Sequence, residues 1–181
     1  MALIPMEEYR GVVLVTAGYF CVYYALMFLQ IHGKGAARAS FEKANQLTKE
    51  QSRAQWNRAT DMNPSWVMAD RSFLNALEQQ VAFLLPLWLH AVFVSPRVST
   101  VMGTIAVVAR FFFPIFWSMK GGWNMWVEVS TQPYYLVVFY FLGALITMAV
   151  LDVNVTTDWP VWSLPLTGAQ PTCYACASTS L

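Results

Sequence analysis

Between Gly11 and Ile31 the chain runs for 21 residues without a formal charge. A helix of that length is roughly 30 Å long, the thickness of a bilayer's hydrocarbon core. The pattern recurs. From Ser72 to Pro96 only Glu78 is charged, from Val98 to Met119 only Arg110, and the 23 residues from Val129 to Leu151 carry no charge. None of these stretches shows the polar stripe at helical period that a helix of a water-soluble bundle presents to solvent. Together they predict an all-α integral membrane protein, a four-helix bundle with spans near 11–31, 73–94, 98–119 and 131–151.

Composition agrees. The chain is 57% hydrophobic and 12% charged, against about 25% charged in an average soluble domain, which excludes a disordered chain. Eleven bases against ten acids lack the basic excess of a nucleic-acid binder, so no nucleic-acid partner is expected. The N-terminal MALIPMEEYRG has two acids where a signal peptide carries bases, and the apolar run after it is long enough to span. The expected organisation is one membrane domain over residues 1–151 and an irregular extension over 152–181, with Trp159 and Trp162 at the interface.

The bases set a topology. Lys34, Arg38, Lys43, Lys49, Arg53 and Arg58 fall in the polar loop 32–70, and Lys120 follows the third span. The opposite side holds only Arg10 and Arg97, with Glu7, Glu8, Asp152 and Asp158. The positive-inside rule places the basic loops on the cytoplasmic-equivalent face and both termini opposite them, in a multi-pass endomembrane or organellar protein. Within the long loop, Phe41 to Thr60 is rich in Lys, Glu, Gln and Ala without Gly or Pro, a pattern for a surface helix that Pro64 cannot continue. Trp56 and Trp66 then read as interfacial anchors, or the helix reads as a docking surface for another subunit.

Ionisable groups inside a bilayer are costly and face the bundle interior or a polar cavity. Arg71, Asn75 and Glu78 fall at about 0°, 40° and −20° around the second span, on one arc of the helix. Arg110 lies roughly 15 Å below Lys120 on the third span. A Glu78–Arg110 pair between the two helices is the expectation, because either charge alone in hydrocarbon would cost several kcal/mol.

The run DRSFLNALEQQVAFLLPLWLHAVF, with Arg71, Asn75 and Glu78 spaced Arg-x3-Asn-x2-Glu, followed by Arg110, aromatics and Lys120-Gly121, resembles the MAPEG superfamily. That superfamily includes microsomal glutathione transferases, leukotriene C4 synthase, microsomal prostaglandin E synthase and the non-catalytic 5-lipoxygenase-activating protein. The likeness covers about residues 71 to 121. It implies a left-handed four-helix protomer, normally a homotrimer. It also implies glutathione bound near the cytoplasmic face between protomers, with Arg71, Asn75, Glu78 and Arg110 as the binding residues. Catalytic members supply an Arg near the start of the fourth span, often with a Tyr, to lower the pKa of the thiol. Here Gly121 to Pro133 reads GGWNMWVEVSTQP, whose only charge is Glu128, and Phe113 and Trp117 stand where active relatives carry His and Tyr. Ser118, Ser130, Thr131, Tyr134 and Tyr135 remain as hydrogen-bond donors.

Weaker signals complete the inventory. Three cysteines are too few for a disulfide framework. Cys21 reads as a small core residue, and Cys173-x-x-Cys176 as a local disulfide or free thiols rather than a metal site. His90 reads as a helix–helix contact, and the Asn154-x-Thr156 sequon lies too close to the membrane to be used. Pro86 and Pro114 fall inside spans, where neighbours can accommodate kinks. Two functions follow. One is a non-catalytic structural or accessory subunit, of a homotrimer or of a larger energy-transducing membrane complex, binding membrane lipids, with Arg71, Asn75, Glu78 and Arg110 holding the bundle together as a buried polar network. The other is a glutathione-dependent transferase or peroxidase acting on lipophilic electrophiles, with Arg71, Asn75, Glu78 and Arg110 holding glutathione.

Overall fold

A computed structural model describes residues 6–57, 63–120 and 123–151. The expected extension 152–181, with Cys173, Cys176 and the sequon, lies outside the described residues, as does Arg58. The described chain forms α1 (Met6–Ala44), α2 (Lys49–Gln55), α3 (Pro64–Phe93), α4 (Pro96–Lys120) and α5 (Met125–Leu151). Among the described residues, α1, α3, α4 and α5 are each long and apolar enough to cross a membrane. Their outward faces carry large apolar side chains, such as Val81 at 70% and Phe139 at 68% exposure. In water such faces would aggregate; in lipid they match the solvent. The chain has the character of a multi-pass membrane protein.

α3 and α4 pack on each other and each contacts both α1 and α5, whereas α1 and α5 lie on opposite sides. The core runs through Val12, Val15, Tyr19, Phe83, Leu87 and Phe141. Small residues allow close approach where helices cross. A Cβ on buried Gly103 of α4 would come within 2.8 Å of Val15 and 2.9 Å of Leu87, and one on Gly33 of α1 within 3.1 Å of the Ala69 Cβ on α3.

The helices overrun the expected spans on the basic side. α1 does not stop near Ile31 but continues to Ala44, so the expected surface helix over 41–60 is divided. Its first part belongs to α1, and α2 is a separate short element. Gly33 packs against the early turns of α3 and Ala37 is buried, which gives this end of α1 tertiary support that its two glycines alone would not. The break falls at Gln46, whose φ of 53° is left-handed. Leu47 N–H bonds Glu42 C=O at 3.0 Å, a Schellman closure of α1. Thr48 then opens α2 through a capping box with Gln51. Pro64 does not merely end a helix; it is the first residue of α3, with Asn63 Oδ1 accepting from the Ser65 and Trp66 N–H groups. Trp66 is only 2% exposed and meets the Trp56 ring edge-on at 5.6 Å, so it is a core residue rather than an interfacial anchor.

Further expectations are settled by position. Cys21 is exposed on the outer face of α1, not in the core. The helices continue through Pro86 and Pro114. His90 is fully buried, its Nδ1 2.7 Å from Ser99 Oγ, and ties α3 to α4.

Candidate functional site

The most demanding group in the bundle is Arg110, which is 2% exposed on α4. A guanidinium cannot shed its proton in a protein, so its charge has to be met by neighbours. Its Nη2 donates to Gln79 Oε1 on α3. Its guanidinium carbon lies 4.2 Å from the centroid of the Tyr134 ring on α5 and 5.8 Å from that of Phe113. A desolvated cation–π contact of this kind contributes about 2 kcal/mol. Arg110 Nε is buried without a hydrogen-bond partner.

A polar layer surrounds this cation. Gln79 Nε2 donates to Tyr135 Oη at 2.5 Å, Tyr134 Oη donates to the Gln79 carbonyl at 2.9 Å, and Tyr19 Oη donates to the Ala76 carbonyl at 2.8 Å. Both carbonyls belong to α3 and have a second lone pair beyond their helical bond. Tyr19 and Tyr134 each pack on Phe83, with centroids 5.3 and 5.5 Å apart. All four long helices therefore converge on one layer, α1 through Tyr19, α3 through Gln79, α4 through Arg110 and α5 through Tyr134.

The residues expected to act together are only partly brought together. Arg110 is in this layer, but its partner is Gln79 rather than Glu78. Arg71 and Glu78 are exposed and Asn75 is half-buried, so the three line an outer flank of α3 instead of the interior. The register explains the exchange. Gln79 lies about 100° round the helix from Glu78, which turns the amide inward and the carboxylate outward. Charge spacing does not mark Gln79 or Tyr19, and it marks Tyr134 only as a spare hydrogen-bond donor, because a neutral amide and two tyrosines look like ordinary residues of an aromatic-rich span. Tyrosines spaced to face a buried Arg are the signal that marks them.

Most of the candidate thiol activators are committed elsewhere. Ser130 and Thr131 donate to the Val127 carbonyl at 2.8 and 2.7 Å, and Ser118 to the Ile115 carbonyl at 2.7 Å. Tyr134 donates as above. Tyr135 accepts from Gln79 at 2.5 Å. Glu128 accepts from Trp123 Nε1 at 3.0 Å and from Gln132 Nε2 at 3.1 Å in the first turn of α5, where the helix dipole favours an anion. Phe113 is buried against Arg110, and Trp117 packs on Phe113 and Trp123. Among the described residues, no group of three His, Cys, Asp or Glu side chains is placed to hold a metal ion.

Comparison with family models, with curated proteins and with solved structures found no match for the chain.

Proposed function

We propose that the protein is a non-catalytic structural or accessory subunit of a membrane assembly, built on a MAPEG-like protomer. The observation that carries this reading is the use of Arg110. Its charge and the hydroxyls of Tyr19 and Tyr134 are spent on joining four helices. Such a layer fixes helix register and acts as interhelical glue within the bilayer. In this reading the basic connection between α1 and α3 faces the cytoplasmic-equivalent side of an endomembrane or organellar membrane, and both termini face the other. The outer flanks of the helices meet lipid and neighbouring subunits, either in a homotrimer or in a larger, energy-transducing complex.

A second reading, a glutathione-dependent transferase or peroxidase, rests on one observation. Arg71 and Glu78 are exposed and Asn75 half-buried along one flank of α3, open to an adjoining protomer. Tyr135 offers a hydroxyl beside Gln79, the next residue along. Purification from the native membrane in mild detergent, followed by native mass measurement, separates the two. Co-migration with a large complex is the expected result. A free trimer near 61 kDa, three times 20.5 kDa, that turns over glutathione with a chlorodinitrobenzene electrophile would overturn the structural reading.

A further inference from the structure

We infer that the cleft between α1 and α2 binds a phosphate-bearing anion, and that its occupant is the headgroup of an acidic phospholipid. The cleft has a volume of about 530 Å³ and is lined by Lys34, Arg38, Arg53, Gln55, Trp56 and Asn57, with Ala54 beside them. Three cations converge on it, and among the described residues no carboxylate lines it. The acids nearest in sequence, Glu42 on α1 and Glu50 on α2, lie outside the lining.

The arrangement is held in place. Lys34 and Arg38 are four residues apart and share one flank of α1, where like charges repel unless an anion lies between them. Arg38 Nη2 donates to the Lys49 carbonyl at 3.1 Å, which fixes the guanidinium across the gap to α2 and leaves its other N–H groups available. Arg53 follows Lys49 by one turn on α2. Trp56 forms part of the wall and is braced by the buried Trp66 of α3. Two guanidiniums and an ammonium match the several oxygens of a phosphate, which arginine binds in bidentate fashion.

Depth selects the source of the phosphate. The charge-free run of α1 ends at Ile31, so Lys34 lies about 5 Å and Arg38 about 10 Å beyond it along the axis, within the headgroup region. Ile31 is one turn below Lys34 on the same flank and is 55% exposed, which lets an acyl chain descend along α1 from a phosphate held above it. Basic pockets at the membrane edge on the positively charged side select anionic lipids.

The test uses the full chain in detergent with an equimolar mixture of phosphatidylglycerol and phosphatidylcholine, read by native mass spectrometry. The expected result is retention of phosphatidylglycerol over phosphatidylcholine by about tenfold or more, lost in the double variant Arg38→Gln, Arg53→Gln. It is kept in Arg53→Lys, which preserves the charge, and in Arg97→Gln, at the other end of the bundle. The exposed single variant Lys34→Gln, checked for native helicity by circular dichroism, weakens the preference without the Arg38 backbone contact being touched. Displacement of the lipid by millimolar inorganic phosphate, but not by chloride, supports phosphate recognition. Binding of inorganic phosphate without any lipid preference overturns the lipid headgroup as occupant. Equal retention of both lipids by the unaltered chain, or a preference unchanged by the double variant, overturns the site.

Discussion

At the scale of single residues the molecule turns on how one buried cation is satisfied. Removing a partner from a buried charge costs more than removing the charge itself, because the orphaned ion keeps its full desolvation penalty. Gln79→Leu takes away the amide oxygen that accepts from Arg110 and is expected to destabilise the bundle by about 3 kcal/mol or more. Arg110→Met removes the charge while filling its volume, and should cost clearly less. The double variant should match Arg110→Met alone. Thermal unfolding midpoints in a fixed detergent test the order, and a larger loss for Arg110→Met than for Gln79→Leu would refute the account. Charge scarcity makes Arg110 legible in the sequence as a group that needs a neighbour. The identity of that neighbour is not legible from charge, since attraction between Arg and Glu is only one way to meet a cation. A glutamine one position further round the helix and a tyrosine face do the same work without any net charge to betray them.

Elements show a different balance between what is legible and what is not. Four apolar helices can be read directly from charge-free runs, because the cost of placing charge in hydrocarbon acts residue by residue. Where each helix stops is decided by caps and tertiary contacts instead. α1 outruns its apolar segment because Gly33 finds α3 beside it and Ala37 is buried, and it ends only where Gln46 turns left-handed. A non-glycine residue pays a steric penalty in that conformation. Gln46 is exposed, so Gln46→Gly should stabilise the fold by about 0.5–1 kcal/mol, after the added freedom of the unfolded chain is subtracted. Chemical denaturation in micelles measures this, and a destabilised variant would contradict the Schellman assignment. Asn124 does more than an ordinary cap. Its Oδ1 accepts from the N–H groups of Trp126 and Val127 at the start of α5, while its Nδ2 donates to the Phe116 carbonyl near the end of α4, tying the two helices together. Asn124→Ala should cost about 1–2 kcal/mol and speed amide exchange at Trp126 and Val127 selectively. Unchanged exchange there would show that the cap is dispensable.

For the whole molecule, the decisive fact is a carboxylate on the wrong side of a membrane helix. Glu78 is exposed on α3, two turns beyond Asp70, which accepts from Gln30 of α1 at 2.8 Å near the end of the charge-free run. That spacing sets Glu78 about 12 Å deeper along the helix. A charge facing hydrocarbon at such depth costs several kcal/mol even after snorkelling and local thinning of the bilayer. Arg71, two turns away on the same flank, is too far along the axis to lie directly over it. Under the proposed subunit role, a polar surface of another subunit against this flank would remove the cost, and the apolar faces on either side of it would extend the same contact. Glu78→Leu should therefore weaken association while leaving the protomer folded or slightly more stable, since the isolated bundle no longer carries an exposed acid in its apolar belt. A loss of about 1.4 kcal/mol at the interface corresponds to a tenfold rise in the dissociation constant. Native mass measurement across a dilution series reads that shift directly, with circular dichroism confirming intact helices. An oligomer distribution identical to that of the unaltered chain would mean that Glu78 faces water or headgroups rather than a neighbour, and the subunit reading would lose its main support at this scale.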